Sequence, residues 1–233
     1  MLNSSRRRCL LAAAGAIAAG TLHAARNLIP TPAQMMGPFY PDEPPLDQDN
    51  DLTRVRGARG TAEGKIAEVS GRLLDPNGNP VCATRIEIWQ CDARGFYHHP
   101  RDRAGPRDAA FQGFGHTLTD NDGRYRFRTI KPVPYPGRTP HIHFKVFLDQ
   151  TTVLTGQLFF PDEVSDQVYA TGIPYVAREG RGALRNDNDG IAQRAGERAL
   201  AQVEPLAEGY LVQMILGVEP IGTFGGMSAP SSG

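Results

Sequence analysis

From about residue 64 to 160 the chain repeats one pattern: a short run with apolar side chains at every second position, then a cluster of Gly, Pro, Asn or Asp. "KIAEVSGRLLD" alternates and runs into the turn "PNGNP" (76–80). "ATRIEIWQ" alternates again, with Ile86, Ile88 and Gln90 on one face and Glu87 and Trp89 on the other. "GHTLTDNDGRYRFRTI" holds two short strands joined by the turn Asp120-Asn121-Asp122-Gly123, and "HIHFKVFLD" and "TVLTGQLFF" follow. A period of two belongs to strands, and short strands cut by frequent turns build sandwiches or barrels. The 26 glycines and 19 prolines suit turns better than long helices. "GYLVQMILGV" (209–218) reads as a last strand, and 161–200 as irregular with short helices near 163–170 and 191–203. The expected fold class is therefore all-β: a single-domain antiparallel β-sandwich with short peripheral helices.

With 233 residues, 40% of them hydrophobic, the chain can bury one sizeable core or two small ones. Residues 26–60 are rich in Pro and turn formers and read as an extended N-terminal arm lying over the body, 61–220 as the sandwich domain, and 221–233 as a loose tail. The first 25 residues have a basic head, an apolar middle and small residues at the end, the plan of an export signal. Ser5-Arg6-Arg7-Arg8-Cys9-Leu10 resembles a twin-arginine signal, with Cys9 where that signal usually has Phe. Cleavage near Ala24 or Ala25 removes three of the 25 basic residues and no acids, leaving 22 basic and 25 acidic residues. The expected location is periplasmic or secreted, without stable membrane anchoring once the signal is removed. Balanced charge without basic runs gives no sign of a nucleic-acid partner. Cys82 and Cys91 bracket an extended strand spanning up to ~30 Å, too far for a bridge between them. Both are expected as small buried residues.

"GRTPHIHFKVF" places His141 and His143 one residue apart at the start of a strand, so both project from one face. Such a pair alone also occurs on metal-free strands. Tyr135 lies six residues upstream in "KPVPYPGR", where Pro132, Pro134 and Pro136 stiffen the loop, which makes it a candidate third ligand. Upstream, "IEIWQCDARGFYHH" ends a strand in a turn at Arg94-Gly95 and delivers Tyr97.

"IEIWQCDARGFY", "GFGHTLTDNDGRYRFRTIKPVPYP", "RTPHIHFKV" and "GQLFFPDE" occur in the order and approximate spacing of the intradiol ring-cleaving dioxygenases. "TPAQMMGPFYP" and "YVAREGRGALRNDNDGI" resemble the same family, and the likeness covers roughly residues 31–217. The chain looks most like the protocatechuate 3,4-dioxygenase branch. The resemblance implies one non-haem Fe(III) per chain, held by Tyr97, Tyr135, His141 and His143. The donor set is chemically coherent. Phenolates are hard anions suited to a trivalent hard ion, and neutral imidazoles complete the shell without adding charge. The resemblance further implies a catechol-type substrate and dioxygen as partners, ring opening between the hydroxylated carbons, and a cis,cis-muconate-type product. Tyr135 would be the tyrosinate released on substrate binding, serving as a base. Arg138 would face the substrate ring, and Gln157 would sit near the same pocket. Proteins of this type usually assemble, so a homo-oligomer is expected.

Two departures bear on the substrate. Only Pro136 and Gly137 separate Tyr135 from Arg138, where protocatechuate enzymes carry a longer segment, and His116 stands where the family usually has Arg. His98 and His99 follow Tyr97 directly, but neighbours on an extended chain point opposite ways, so at most one could face a metal. The competing readings are an exported, non-catalytic β-sandwich binding module, and a copper or Fe(II) enzyme built on the histidine pair alone.

Overall fold

The structure is a computed structural model describing residues 30–103, 105–134, 137–170 and 184–218. Residues 1–29, where the export signal was expected, Tyr135 and the tail after Val218 lie outside the described residues. Among the described residues, eight strands form two four-stranded sheets. The strands are β1 (Ile66–Leu74), β2 (Arg85–Trp89), β3 (Phe114–Leu118), β4 (Arg124–Ile130), β5 (His141–Leu148), β6 (Thr151–Phe159), β7 (Gln202–Leu206) and β8 (Gly209–Gly217). One sheet runs β4-β1-β8-β7 and the other β3-β2-β5-β6.

Alternation builds the core. In β4 the sequence RYRFRTI buries Tyr125, Phe127 and Thr129 and exposes Arg124, Arg126 and Arg128. From β1 come Ala67, Val69 and Leu73, from β2 Ile86 and Ile88, from β5 Ile142, Phe144 and Val146, and from β8 Val212, Met214 and Leu216. Gly71 of β1 admits no side chain, since a Cβ there would lie 1.8 Å from Met214 O.

The sandwich is not wholly antiparallel. β1 pairs parallel with β8, while the remaining ladders are antiparallel. The two strands are far apart in sequence, and a long connection allows either sense. The turn at Asp120–Gly123 carries the chain from β3 in one sheet to β4 in the other. α1 (Asp162–Ala170) lies where a helix was expected. α2 (Gly190–Ala195) is shorter than the expected 191–203. The chain passes through Gly196, at a φ of 64°, into a 3-10 turn (Gly196–Ala199) and then into β7. β7 carries Pro205, which an edge strand tolerates.

Residues 30–52 run over both sheets. Gln34 N donates to Thr155 O of the edge strand β6, and His116 N of the edge strand β3 donates to Gln48 O. Leu52 N and Arg128 O of the edge strand β4 are likewise joined. Edge strands with open backbone groups invite aggregation, and this segment satisfies part of each. Cys91 is buried and its Sγ donates to Val133 O. Cys82, expected to be buried, is only partly so.

Candidate metal centre

The register of the second sheet sets three side chains in a row on the face opposite the core: Trp89 of β2 is opposite His143 of β5, which is opposite Gln157 of β6. His141, two residues earlier, shares that face. This face is not solvated. Tyr40 packs edge-on to Trp89 with ring centroids 5.0 Å apart and donates to Glu87 at 2.7 Å. Gly37, at a φ of 76°, sits so close that a Cβ would lie 3.3 Å from His143 Cε1. Both faces of β2 are therefore buried.

Tyr97 reaches the same place from the turn after β2. Asp92 Oδ1 accepts Arg94 N and Phe96 N, both at 2.9 Å, which shapes the turn. Asp102 Oδ2 accepts Tyr97 N at 2.8 Å. Phe39 then stacks on the phenol ring at 4.5 Å. Tyr97, His141 and His143 are each at most 2% exposed.

The donor atoms converge. His141 Nε2 lies 3.1 Å from His143 Nε2, which lies 3.2 Å from the Tyr97 hydroxyl. These are the separations expected of neighbouring ligands on one first-row ion with bonds of ~2 Å. Thr139 O lies 2.7 Å from His141 Nδ1. A carbonyl only accepts, so Nδ1 carries the proton and Nε2 presents its lone pair. Burial, with the Arg138 charge adding to it, pushes the His141 imidazole down to about 3. Burial, with His141 next, holds His143 well below its ordinary value. Two imidazoles kept neutral beside a phenol are a fitting cradle for a hard metal ion. Two features distinguish His143. Its ring lies flat on Trp89 at 4.7 Å and 8°, and its Nδ1 is buried with no hydrogen-bond partner among the described residues. Among those residues no group of three His, Cys, Asp or Glu side chains could hold a metal, and the side chain that joins the histidine pair is the Tyr97 phenol.

Arg138 and Gln157, distant in sequence, meet. Arg138 Nη2 donates to Gln157 Oε1 at 2.6 Å, and its Nε to Asp189 Oδ2 at 2.7 Å. Gln157 Nε2 reaches Met35 O at 3.3 Å. Asp189 was not anticipated from the sequence, although Asp before Gly190 at a helix start is a capping signal. Burial opposes its ionisation, but Thr139 N, the Arg138 guanidinium and Ile191 N prevail and hold its carboxyl below the usual range. His98 instead packs edge-on against Phe111, and His99 lies 3.5 Å from Asp42. His116 lies across from Glu87 in the β2–β3 ladder.

Residues 35–190 match a family model described as Dioxygenase. Over 171 residues the chain is 38% identical to the protocatechuate 3,4-dioxygenase beta chain of Burkholderia cepacia, covering 66% of this chain and 72% of that one. The chain belongs to the intradiol dioxygenase family. A hydroxyquinol 1,2-dioxygenase of Corynebacterium glutamicum is 32% identical over 162 residues, with 60% of this chain covered but only 50% of the relative. Among solved structures, an intradiol ring-cleavage dioxygenase from Tetranychus urticae aligns with a TM-score of 0.68 at 24% identity, over 84% of this chain and 97% of that one, a likeness of fold. The dioxygenase domain of a carbohydrate-binding fusion from Streptomyces sp. SirexAA-E aligns with a TM-score of 0.59 at 28% identity, over 82% and 99% of the two chains. Membership of this intradiol family decides for an enzyme over a non-catalytic binding module.

Proposed function

We propose that this dioxygenase cleaves a catechol-type ring between its two hydroxylated carbons to a cis,cis-muconate-type diacid. It would use one non-haem Fe(III) held by Tyr97, Tyr135, His141 and His143. The observation that carries the reading is the convergence of the Tyr97 hydroxyl with two neutral imidazoles, at 3.1 and 3.2 Å. Bound iron would supply Lewis acidity and a template for both catechol oxygens. The chain's own residues do the rest. His141 and His143 would contribute lone pairs without charge, and the phenolates of Tyr97 and Tyr135 would offset the charge of the ion. With iron bound, Tyr135 would serve as the base that takes up one catechol hydroxyl proton at its phenolate oxygen. The Arg138 guanidinium would stabilise the electron-rich ring carbon that oxygen attacks, with Gln157 bonded to it. Phe39, Tyr40 and Trp89 keep water from the buried face.

The test is anaerobic titration of iron-loaded protein with a panel of catechols, followed by admission of oxygen and product analysis. Tyrosinate-to-iron charge transfer predicts a red-brown protein whose spectrum shifts with substrate, and a muconate-type product. A colourless loaded protein, or a product cleaved outside the two hydroxylated carbons, would overturn the reading. The panel should span catechol, hydroxyquinol and protocatechuate, with the short Pro136-Gly137 spacer weighing against the last. We also propose export by the twin-arginine route, supported by Arg6, Arg7 and Arg8 ahead of the apolar run. Arg6→Lys with Arg7→Lys should strand the protein in the cytoplasm, and normal periplasmic yield would refute that route. Assembly into a homo-oligomer is part of the proposal, and sedimentation of the purified protein tests it.

A further inference from the structure

We propose that Asp189 is a positioning residue that aims Arg138 and fixes the proton on His141, so that one carboxylate sets both the catalytic cation and a metal ligand. The inference rests on the ring-cleavage reading for its catalytic consequence and on geometry for its structural part. The two oxygens of Asp189 divide the work. Oδ1 accepts Ile191 N at 2.8 Å and Ala192 N at 3.2 Å, capping α2. Oδ2 accepts Arg138 Nε at 2.7 Å and Thr139 N at 3.0 Å.

The first of these bonds sets the guanidinium plane. Arg138 is pinned at Nε by Asp189 and at Nη2 by Gln157. Two fixed nitrogens leave a planar group no rotation, which is how a charge becomes preorganised for a developing anion. The ion pair is screened from solvent, with the Asp189 side chain 2% and the Arg138 side chain 13% exposed. Removing one partner of such a pair leaves the other buried without compensation.

The second bond sets the histidine. Thr139 is held on both sides, its N–H on Asp189 and its C=O on His141 Nδ1. Its hydroxyl adds a third tie, donating to Asn186 Oδ1 at 2.9 Å. A carbonyl held in this way determines the tautomer and ring orientation of the ligand it touches. The acceptor that anchors the Thr139 N–H enters from residue 189, 50 residues away from Thr139.

Asp189→Asn separates this role from helix capping. Its amide oxygen can still cap α2, while its NH2 meets the N–H groups of Arg138 and Thr139 and cannot accept from them. The variant should bind iron with its tyrosinate colour and still shift on adding catechol, with kcat at least tenfold lower and KM within about threefold of wild type. In the double variant with Arg138→Ala, the loss of turnover should be clearly smaller than the product of the two single losses, because both changes remove the Arg138–Asp189 interaction. In metal-free protein, the Arg138 Nε–H NMR signal, protected from solvent exchange in wild type, should lose that protection. Wild-type kcat in Asp189→Asn, losses that multiply in the double variant, or undiminished Nε–H protection would each overturn the proposal. Should Asp189→Asn fail to fold, Asp189→Ser keeps a capping oxygen and is judged by the same three readings. A wild-type protein that binds no iron or cleaves no catechol would instead refute the ring-cleavage reading, leaving the metal-free measurement to decide on Asp189.

Discussion

Lys131 offers a test that needs neither iron nor substrate. It follows β4 and is fully buried. Its Nζ donates to Pro132 O at 3.3 Å and stands 4.2 Å from the centre of the Phe160 ring. Burial pushes its ammonium from 10.5 down to about 7, with Cys91 pulling weakly the other way. The unfolded chain keeps its proton up to the ordinary lysine value, whereas the folded protein releases it near neutrality. Between the two values the unfolded state binds more protons, so this lysine makes stability rise with pH. The slope is about 1.4 kcal/mol per pH unit, or roughly 2–3 kcal/mol between pH 7.5 and 9.5. Lys131→Met removes the titration and keeps most of the volume. Urea unfolding of both proteins from pH 6.5 to 9.5 should show the variant more stable at the acid end and the gap closing by that amount as pH rises. A constant gap would mean that the lysine does not titrate in this window. A gap that widens against the variant at low pH would mean that Phe160 and Pro132 O stabilise the charged form.

Three further outcomes are expected. Arg138→Ala should retain iron and its colour but turn over at least tenfold more slowly, within the ~10²–10³ typical of losing one preorganised contact, and stopped-flow kinetics at saturating catechol would show it. Gly37→Ala puts a Cβ 3.3 Å from His143 Cε1 at a φ of 76°, so it should lose about 1 kcal/mol of stability and release iron faster to a chelator; unchanged release would show that residue 37 does not support His143. Gly71→Ala would set a Cβ 1.8 Å from Met214 O, so cooperative unfolding should be lost or strongly weakened, and a variant with wild-type melting would contradict the packing described.

The shared face of His141 and His143 was legible because a strand has a period of two. Their meeting with Tyr97 was legible only through resemblance, since nothing local brings a residue 46 positions from His143 to its side. Other features left weaker marks. Glu87 and Trp89 alternate with the core residues of β2, but their burial depends on Tyr40 arriving from the arm. The parallel pairing of β1 with β8 has no local signature, because both senses use the same alternation. β7 was missed because its residues are mostly exposed and include Pro205. Asp189 has no legible role within "RNDNDGI", since a capping residue and a partner for Arg138 look alike in one dimension.

The segment that covers His143 also bears on when the centre can exist. Gln34 meets Gln157 across 123 positions, and His143 meets Tyr97 across 46. Contacts of such separation form late, because the long loops between them must close first. An ion therefore finds no preformed claw in the nascent or partly folded chain, only a strand bearing two histidines. Capture of the proposed iron would then be the closing event of folding, and the ion would act as a latch on a finished body rather than as a template for it. A chain that matures in this order acquires its metal in whichever compartment it completes its fold.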